Sequence, residues 1–296
     1  MSGPLIDIRG VRHAYRTAAG PLPVLDGLDV AVEEGGFVAV VGPSGCGKST
    51  LTRLIAGLLI PDAGEVRVHG ERVRGPRANV GMAFQNPVLL EWRTILRNVL
   101  LPLEIVPTRL TRREGEARAR RLLALVGLEG FEDKRPSELS GGMRQRASLC
   151  RALIHQPEVL ILDEPFGALD AFTREDLWQI MHALKAEEPF TGVLITHDLR
   201  ESIFLADRVV VLSGRPARTQ YVLDVPETGP RDLGALYTPE AAEMLSVLRH
   251  QIEVAQGRAP AAEPEERGGP HPAPVPGPPA PGRRGSVAGA VPGRGP

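Results

Sequence analysis

Short apolar segments along the chain alternate with longer segments in which apolar side chains recur every three or four positions. The short segments are rich in β-branched residues and predict buried strands at Leu5–Ile8, Phe37–Val41, Val66–Val68, Val159–Leu162, Val193–Thr196 and Val209–Leu212. Helical spacing is clearest at Leu51–Leu59 and Leu177–Leu184. Continuous apolar strands that alternate with helices are typical of a largely parallel sheet covered on both faces, so the predicted fold class is α/β.

A helical insert is predicted inside this α/β core. The first block of strands ends at Gly81–Gln85, and helical spacing then dominates, with helices expected at Arg112–Val126 and Met143–Ile154. A further stretch, Thr238–Val254, predicts one or two short amphipathic helices. The predicted organisation is a core of residues 1–85 and 156–220, a helical subdomain of residues 86–155, a C-terminal extension of residues 221–256 and a tail of residues 257–296.

The tail differs from the rest of the chain in composition. Residues 257–296 contain 11 Pro and 9 Gly with few apolar anchors, so we expect this segment to be disordered.

Charge and cysteine content narrow the possible functions. The 35 Lys and Arg nearly balance the 36 Asp and Glu, which argues against a dedicated nucleic-acid binder. Only Cys46 and Cys150 occur, without metal-ligand spacing, so we expect a reducing compartment.

Met1–Tyr15 lacks the apolar core of a signal peptide, and no uncharged apolar run reaches the roughly 18 residues that span a bilayer. Any membrane role is therefore expected to go through a partner.

The strongest chemical signal is a glycine-rich segment between a predicted strand and a predicted helix, which fits the pattern G-x-x-x-x-G-K-[ST]. Its residues are Gly42, Pro43, Ser44, Gly45, Cys46, Gly47, Lys48, Ser49 and Thr50. The glycines let backbone N–H groups surround phosphates at a helix N-terminus. Lys48 is expected to reach the terminal phosphates and Ser49 to bind Mg²⁺, whereas we interpret Cys46 as a small tolerated residue.

A second signal is an apolar strand that ends in two acidic residues, at Val159–Pro165. Beside bound phosphate, Asp163 is expected to face Mg²⁺, usually through water, and Glu164 to polarise the attacking water. Together with the glycine-rich loop, this pair predicts a nucleotide-hydrolysing site that uses ATP and Mg²⁺.

A third segment, Leu139–Arg146, contains Ser140, Gly141 and Gly142 just before a predicted helix, and so forms a second helix N-terminus suited to an anion. One nucleotide does not need two such ends from one subunit, but a second subunit could supply one. In this segment the chain resembles the ABC ATPases, whose signature loop is Leu-Ser-Gly-Gly.

The resemblance covers about Leu5 to Ile252 and implies roles for further residues. Tyr15 matches the aromatic residue that stacks on adenine, and Gln85 matches the glutamine that senses the γ-phosphate and the metal. Asp170 belongs to the segment that matches the loop across the dimer interface. His197 matches the switch histidine, which contacts the γ-phosphate. The implied fold is a P-loop (RecA-like) ATPase core with a small antiparallel β part and a helical subdomain. The implied assembly is a sandwich homodimer with two ATP molecules, bound to transmembrane permease subunits at the cytoplasmic face of the membrane.

Finer features resemble the nitrate, sulfonate and taurine branch of importers, which work with an extracytoplasmic solute-binding protein. These features are Leu89–Thr94, Asn98–Glu104, Met143, Glu188–Thr191 and Ser213–Pro216. In that branch a proline commonly precedes the tryptophan, whereas in this chain Glu91 precedes Trp92. Trp92 is a candidate contact for the permease, with burial in the helical subdomain as the other interpretation.

Two alternatives to an importer ATPase for nitrate, sulfonate, taurine or a similar solute stay open. The same subunit could serve an importer of a pyrimidine vitamin precursor, and only the partner proteins distinguish these two functions. A soluble ABC ATPase of translation or DNA repair would be expected to carry two nucleotide-binding halves, a coiled coil or zinc ligands, and the sequence shows none of them.

Overall fold

The chain folds around two β-sheets of different character, with helices packed on and between them. A computed structural model describes residues 3–226, 229 and 232–259, which all lie in one unit. The strands are β1 (Ile6–Thr17), β2 (Gly20–Val32), β3 (Phe37–Val41), β4 (Ala63–Val68), β5 (Glu71–Arg72), β6 (Val80–Phe84), β7 (Val159–Asp163), β8 (Thr191–Ile195), β9 (Arg208–Leu212) and β10 (Thr219–Asp224). The helices are α1 (Lys48–Ile55), α2 (Ile95–Ile105), α3 (Arg112–Leu125), α4 (Gly141–Leu153), α5 (Ala171–Glu187), α6 (Leu199–Leu205) and α7 (Pro239–Ala255), with 3₁₀ turns at Pro136–Glu138 and Gly234–Tyr237.

The larger sheet has six strands in the order β10-β9-β3-β8-β7-β6, and all neighbours are parallel except β10 and β9. Every residue of β3 and β8 is buried, which explains their uninterrupted apolar sequences. The smaller sheet has four strands in the order β2-β1-β4-β5 and is antiparallel. The predicted α/β fold with a small antiparallel part is therefore confirmed.

The carboxyl ends of the parallel strands lie side by side and form the platform for the site. Val41 at the end of β3 is in register with Val211 of β9, and Asp163 at the end of β7 is in register with Ile195 of β8. Phe84, the last residue of β6, is the register partner of Asp163. Residues that directly follow these strands are thereby brought to one edge of the sheet, where open α/β sheets bind ligands.

Between residues 86 and 155 the chain forms α2, α3 and α4, but the segment before α2 is an ordered loop. Asn98 is fully buried, and its Nδ2 donates hydrogen bonds to the carbonyl oxygens of Leu90, Arg93 and Thr94 at 3.0, 3.2 and 3.0 Å. Its Oδ1 accepts a hydrogen bond from the Leu90 amide at 2.6 Å. One buried amide therefore fixes the loop that carries Trp92.

The structure differs from the predicted secondary structure in extent. The first helix ends at Ile55 rather than Leu59, because Gly57 adopts a φ of 73° and a Cβ there would lie 1.9 Å from the Gly75 carbonyl oxygen. β2 was not predicted, since its start contains two prolines and its pairing with β1 is broken by irregular register. Thr238–Val254 is one helix, α7, and β10 spans the boundary predicted at residue 220.

The rest of the predicted tail, residues 260–296, lies outside the described residues. Within the described ranges, the helices are too short or too polar to cross a bilayer.

Candidate functional site

The loop between β3 and α1 depends on glycine for its shape. Gly45 has a φ of 72° and Gly47 a φ of 124°, both in a region that residues with a side chain rarely adopt. A Cβ on Gly47 would also lie 2.8 Å from a methyl group of Val24. α1 begins immediately afterwards at Lys48, so the free amides of its first turn face the loop.

Lys48 is held at the centre of this loop. Its side chain is buried, and its Nζ donates hydrogen bonds to the carbonyl oxygens of Gly42 at 2.9 Å and Pro43 at 3.1 Å. These contacts are to neutral carbonyl groups, so the ammonium charge is not cancelled by a carboxylate there. The loop therefore presents a fixed positive charge together with helix N-terminal amides, which is the arrangement that binds phosphate.

A cavity of about 290 Å³ opens over the loop. The predicted residues that line it are Tyr15, Ser44, Gly45, Gly47, Lys48, Ser49, Thr50 and Glu164. The Tyr15 hydroxyl is 3.2 Å from the Thr50 hydroxyl, so the aromatic ring is fixed against the start of α1. The cavity thus has an aromatic side chain beside the glycine-rich loop.

Ser49 and Asp163 meet where β7 ends. The Ser49 hydroxyl donates a hydrogen bond to Asp163 Oδ1 at 3.2 Å, and the Thr52 hydroxyl lies 3.5 Å from Oδ2. Burial raises the pKa of Asp163 above its usual value, and the hydrogen bond from Ser49 acts in the opposite direction. A hydroxyl and a carboxylate this close can enter one coordination sphere, and both are hard oxygen ligands of the kind Mg²⁺ prefers. The donor set therefore fits Mg²⁺.

Glu164 is held in an unusual backbone conformation directly after Asp163. Its φ is 50°, and its amide donates a hydrogen bond to the Ile195 carbonyl oxygen at 2.9 Å. The carboxylate lies 3.5 Å from Nδ1 of His197. A non-glycine residue at positive φ is costly, and such residues cluster at functional sites. The strained backbone directs the carboxylate towards His197.

Gln85 and His197 approach the same small residue, Gly167. A Cβ on Gly167 would lie 3.4 Å from Gln85 Nε2, 3.5 Å from His197 Cε1 and 3.6 Å from the Glu164 carbonyl oxygen. The three residues predicted to be catalytic are therefore grouped around Gly167, beside Asp163. Gln85 reaches this group because it directly follows Phe84, the register partner of Asp163.

The predicted signature residues lie elsewhere on the surface of the chain. The Ser140 hydroxyl caps α4 by accepting the Met143 amide hydrogen bond at 3.3 Å, and Ser140 and Gly141 are exposed. Gly142 is buried against Thr173, whose methyl group would lie 2.5 Å from a Cβ at Gly142. Asp170 caps α5 by accepting a hydrogen bond from the Thr173 amide at 3.0 Å, and this contact lowers the pKa of Asp170. None of these four predicted residues lines the described cavity of the same chain.

The structure adds lining residues that the sequence analysis did not assign to the site. Leu22, Val24 and Arg215 border the cavity, and Arg215 is exposed. The loop that carries Arg215 is attached to β2, because the Ala217 amide donates a hydrogen bond to the Val24 carbonyl oxygen at 2.8 Å and the Ala217 carbonyl oxygen accepts one from the Asp26 amide at 3.1 Å. No motif marks Leu22 or Val24, and Arg215 entered the sequence analysis only within the branch feature Ser213–Pro216, because the three residues come together only through the contact of β2 with the loop after β9.

The two cysteines are buried, and burial raises the pKa of both thiols. For Cys46 this effect outweighs the nearby charge of Lys48. A thiol with a raised pKa is a poor nucleophile. The interpretation of Cys46 as a small packing residue of the loop agrees with this environment.

Comparison with known proteins places this site in a family. The family described as "ABC transporter" matches residues 25–167. The chain is 43% identical over 228 residues to the bicarbonate transport ATP-binding protein CmpD of Synechocystis sp., which covers 77% of this chain and 81% of that protein. It is 46% identical over 229 residues to the aliphatic sulfonates import ATP-binding protein SsuB 1 of Rhodococcus jostii, covering 77% and 86%. It is 41% identical over 227 residues to the nitrate import ATP-binding protein NrtD of Synechococcus elongatus, covering 76% and 83%.

A solved structure gives the same result at the level of the fold. The ATP-binding cassette MJ0796, described as a dimeric post-hydrolysis state bound to ADP and Pi, superposes with a TM-score of 0.66 at 28% identity. The match covers 75% of this chain and 99% of that one. About three quarters of this chain therefore corresponds to nearly the whole of that cassette.

Proposed function

On the premise that the chain belongs to the ATP-binding subunits of ABC transporters, in the branch that includes nitrate, sulfonate and taurine importers, we propose a function for it. We propose that it hydrolyses ATP to drive the import of a small solute. The observation that carries this proposal is the position of Glu164. It follows Asp163 at the end of β7 and lies 3.5 Å from His197. A protein that only bound nucleotide would not need a carboxylate held there at a strained backbone position.

Each residue of the site has a role in this proposal. Lys48 and the amides at the start of α1 hold the phosphates, and Tyr15 stacks on the adenine. Glu164 orients and polarises the attacking water, while His197 and Gln85 contact the γ-phosphate and report its presence. Ser49, Gln85 and Asp163 would hold Mg²⁺, which would neutralise charge on the phosphates.

We propose that the working unit is a homodimer. Ser140, Gly141 and Gly142 form an exposed helix N-terminus that does not face the cavity of their own chain. In a dimer of the kind described for MJ0796, this end of α4 would complete the nucleotide site of the partner. Asp170 lies beside it at the start of α5, so it would also lie at the interface.

We propose that permease subunits bind the loop before α2. Trp92 is 73% exposed and Val88 is 60% exposed, so the interpretation that Trp92 is buried in the helical subdomain does not fit. Two large apolar side chains exposed on a loop fixed by Asn98 are suited to a protein contact. This contact would hold the chain as a peripheral subunit on the cytoplasmic face of the membrane.

The enzymatic part of the proposal is tested on the purified chain with two variants. Lys48→Ala removes the charge at the phosphates, so ATP binding should weaken. Glu164→Gln keeps the phosphate contacts but removes the base, so it should bind ATP and accumulate as a closed dimer in size-exclusion chromatography with Mg²⁺ and ATP. Wild-type turnover by Glu164→Gln would refute the role of Glu164.

The transport part is tested by uptake. The test uses a strain without this subunit, complemented by the wild type or by Glu164→Gln. The strain is given one labelled solute at a time: nitrate, bicarbonate, taurine, an alkanesulfonate or a pyrimidine precursor. We expect the strain to lose uptake of one solute and only the wild type to restore it. If both forms restored it, or if every uptake stayed normal once redundant transporters were removed, the importer function would be refuted.

A further inference from the structure

Arg174, on the second turn of α5, bridges two segments of the site. Its Nη2 donates a hydrogen bond to the Leu169 carbonyl oxygen at 2.9 Å, and its Nη1 donates to Asp198 Oδ2 at 3.0 Å. The side chains of Arg174 and Asp198 retain 26% and 21% of their exposure. Leu169 lies in the loop that ends at Asp170, and Asp198 directly follows His197.

Asp198 in turn fixes the backbone around His197. Its Oδ1 accepts hydrogen bonds from the amides of Arg200 at 2.9 Å and Glu201 at 3.4 Å, which starts α6. Its own amide donates to the Thr196 hydroxyl at 2.9 Å. The Thr196 hydroxyl then donates to the buried carboxyl group of Glu201 at 2.6 Å. The residues on both sides of His197 are therefore anchored, while the imidazole itself is 60% exposed.

We propose that Arg174 and Asp198 are positioning residues that couple the loop Gly167–Asp170 to His197. This inference rests on the proposed function, in which Asp170 meets the partner subunit and His197 contacts the γ-phosphate. A displacement of Leu169 moves one end of a guanidinium whose other end holds Asp198. Formation of the dimer interface is thereby transmitted within one chain to the orientation of the switch histidine.

The choice of arginine supports this role. A planar guanidinium can donate to two acceptors in different directions without changing rotamer, whereas a lysine ammonium acts as a single point charge on a flexible stem. Because both side chains are mostly buried, the pair is less screened by solvent than the exposed pairs of the surface. A rigid connection of this kind can transmit a small displacement.

The first test compares Arg174→Ala with Asp176→Asn, a matched control that breaks an ion pair on the same helix. Asp176 faces Arg146 at 3.8 Å, and among the described residues no hydrogen bond or ion pair joins it to either loop. We expect Arg174→Ala to lower kcat about 10-fold or more while the dissociation constant for ATP stays within about twofold of the wild-type value. Arg174→Lys should recover part of the rate, and Asp176→Asn should retain the wild-type rate. Equal loss of kcat and ATP affinity, or no loss of kcat, would overturn the inference.

The second test reads His197 directly and needs no turnover. In protein with ¹³C-labelled histidine, the imidazole signal of His197 is assigned as the one that disappears in His197→Gln. We expect Arg174→Ala and Asp198→Asn to shift this signal, and Asp176→Asn to leave it in place. Asp198→Asn serves as the second variant because asparagine retains helix-capping ability, so α6 should still form. A His197 signal unchanged in Arg174→Ala and Asp198→Asn would refute the coupling.

The two tests separate this inference from the function on which it rests. If the wild-type chain does not hydrolyse ATP, the proposed function fails, whereas the imidazole signal still shows whether Arg174 positions His197. If the wild type hydrolyses ATP and Arg174→Ala matches it in rate and spectrum, only the coupling fails. Thermal unfolding of each variant shows whether a rate loss comes from loss of fold.

Discussion

The Ser49 hydroxyl lies 3.2 Å from Asp163 Oδ1, although 114 positions separate the two residues in the chain. The contact is made by two parallel strands, β3 and β7, that are not neighbours but flank β8. Their carboxyl ends lie at one edge of the sheet, so the first turn of α1 reaches the end of β7. One hydrogen bond thus joins the phosphate-binding loop to the acidic pair.

Asp163→Asn should separate catalysis from stability. Loss of the carboxylate removes a proposed Mg²⁺ ligand, so we expect Mg²⁺-dependent phosphate release to fall by about 100-fold or more. Burial raises the pKa of Asp163, which means that its ionised form destabilises the fold in the absence of metal. The variant should therefore unfold at the same temperature as the wild type or higher, measured without Mg²⁺. Asp224→Asn, which loses an exposed pair with Arg208, is the control and should change neither property. A less stable Asp163→Asn, or one that retains the wild-type rate, would contradict this account.

Arg215→Ala should weaken ATP binding. Arg215 lines the cavity on a loop attached to β2, and a guanidinium beside the triphosphate forms charge-assisted hydrogen bonds. We expect the dissociation constant for ATP to rise about 5- to 10-fold, which corresponds to the ~1 kcal/mol range of one partly exposed contact, with kcat unchanged. Titration with a fluorescent ATP analogue measures this change. Arg218→Ala is the control, because Arg218 lies on the same loop but pairs with Asp26 rather than lining the cavity. Equal losses in the two variants would show that the loop, not Arg215, is responsible.

The parts of the site that depend on local chemistry could be predicted from the sequence. A glycine-rich turn between a buried strand and a helix has few structural solutions, so the positions of Gly47, Lys48 and Ser49 followed from the motif. The ends of buried parallel strands likewise placed Asp163 near them. The grouping of Gln85, Glu164 and His197 around Gly167 was not predictable from the residue pattern, and the family resemblance supplied roles for Gln85 and His197 but not this geometry.

What the sequence did not predict depends on contacts between distant segments. β2 carries too many polar residues and prolines for its pattern to indicate a strand, and only pairing with β1 determines its extent. Arg215 joins the cavity through that pairing. The sequence indicated Glu188 only as part of a segment typical of the importer branch. In the structure it is a buried carboxylate that pairs with Arg118 and Arg121. Tertiary contacts of this kind leave no periodic signal in a single sequence.

Glu201 should make the stability of the chain fall as pH rises. Burial, with smaller contributions from the charges of Asp198 and Glu164, raises its pKa from the unfolded value near 4.5 to about 8, although Thr196 and Arg174 act against the shift. Below about pH 4.5 both states hold the proton, and the contribution of Glu201 is fully present. As pH rises towards 8 the folded state must retain a proton that the unfolded state has released, so the free energy of unfolding decreases.

Glu201→Gln checks this prediction, because the neutral amide has the same shape and still accepts the Thr196 hydrogen bond. Chemical denaturation between pH 6 and pH 9 should show a smaller loss of stability in the variant, which should be the more stable protein at pH 9. Glu175→Gln, in a partly buried pair with Arg200, is the control and should follow the wild-type pH dependence. If wild type and Glu201→Gln lost stability in parallel, Glu201 would not be the group that titrates.

Arg118→Ala should destabilise the junction between the helical subdomain and the core. Arg118 pairs with Glu188 at 2.7 Å with both side chains 9% exposed, and it also donates hydrogen bonds to the carbonyl oxygens of Leu153 and Ile154 at 3.1 and 3.0 Å. Removal of one partner leaves a buried carboxylate and two carbonyl groups at the end of α4 without these bonds, although Arg121 still contacts Glu188. We expect the free energy of unfolding to fall by about 3 kcal/mol, against less than about 0.5 kcal/mol for Arg112→Ala in an exposed pair on the same helix. Equal losses in the two variants, measured by urea denaturation, would mean that burial of the Arg118 pair contributes nothing beyond a surface ion pair.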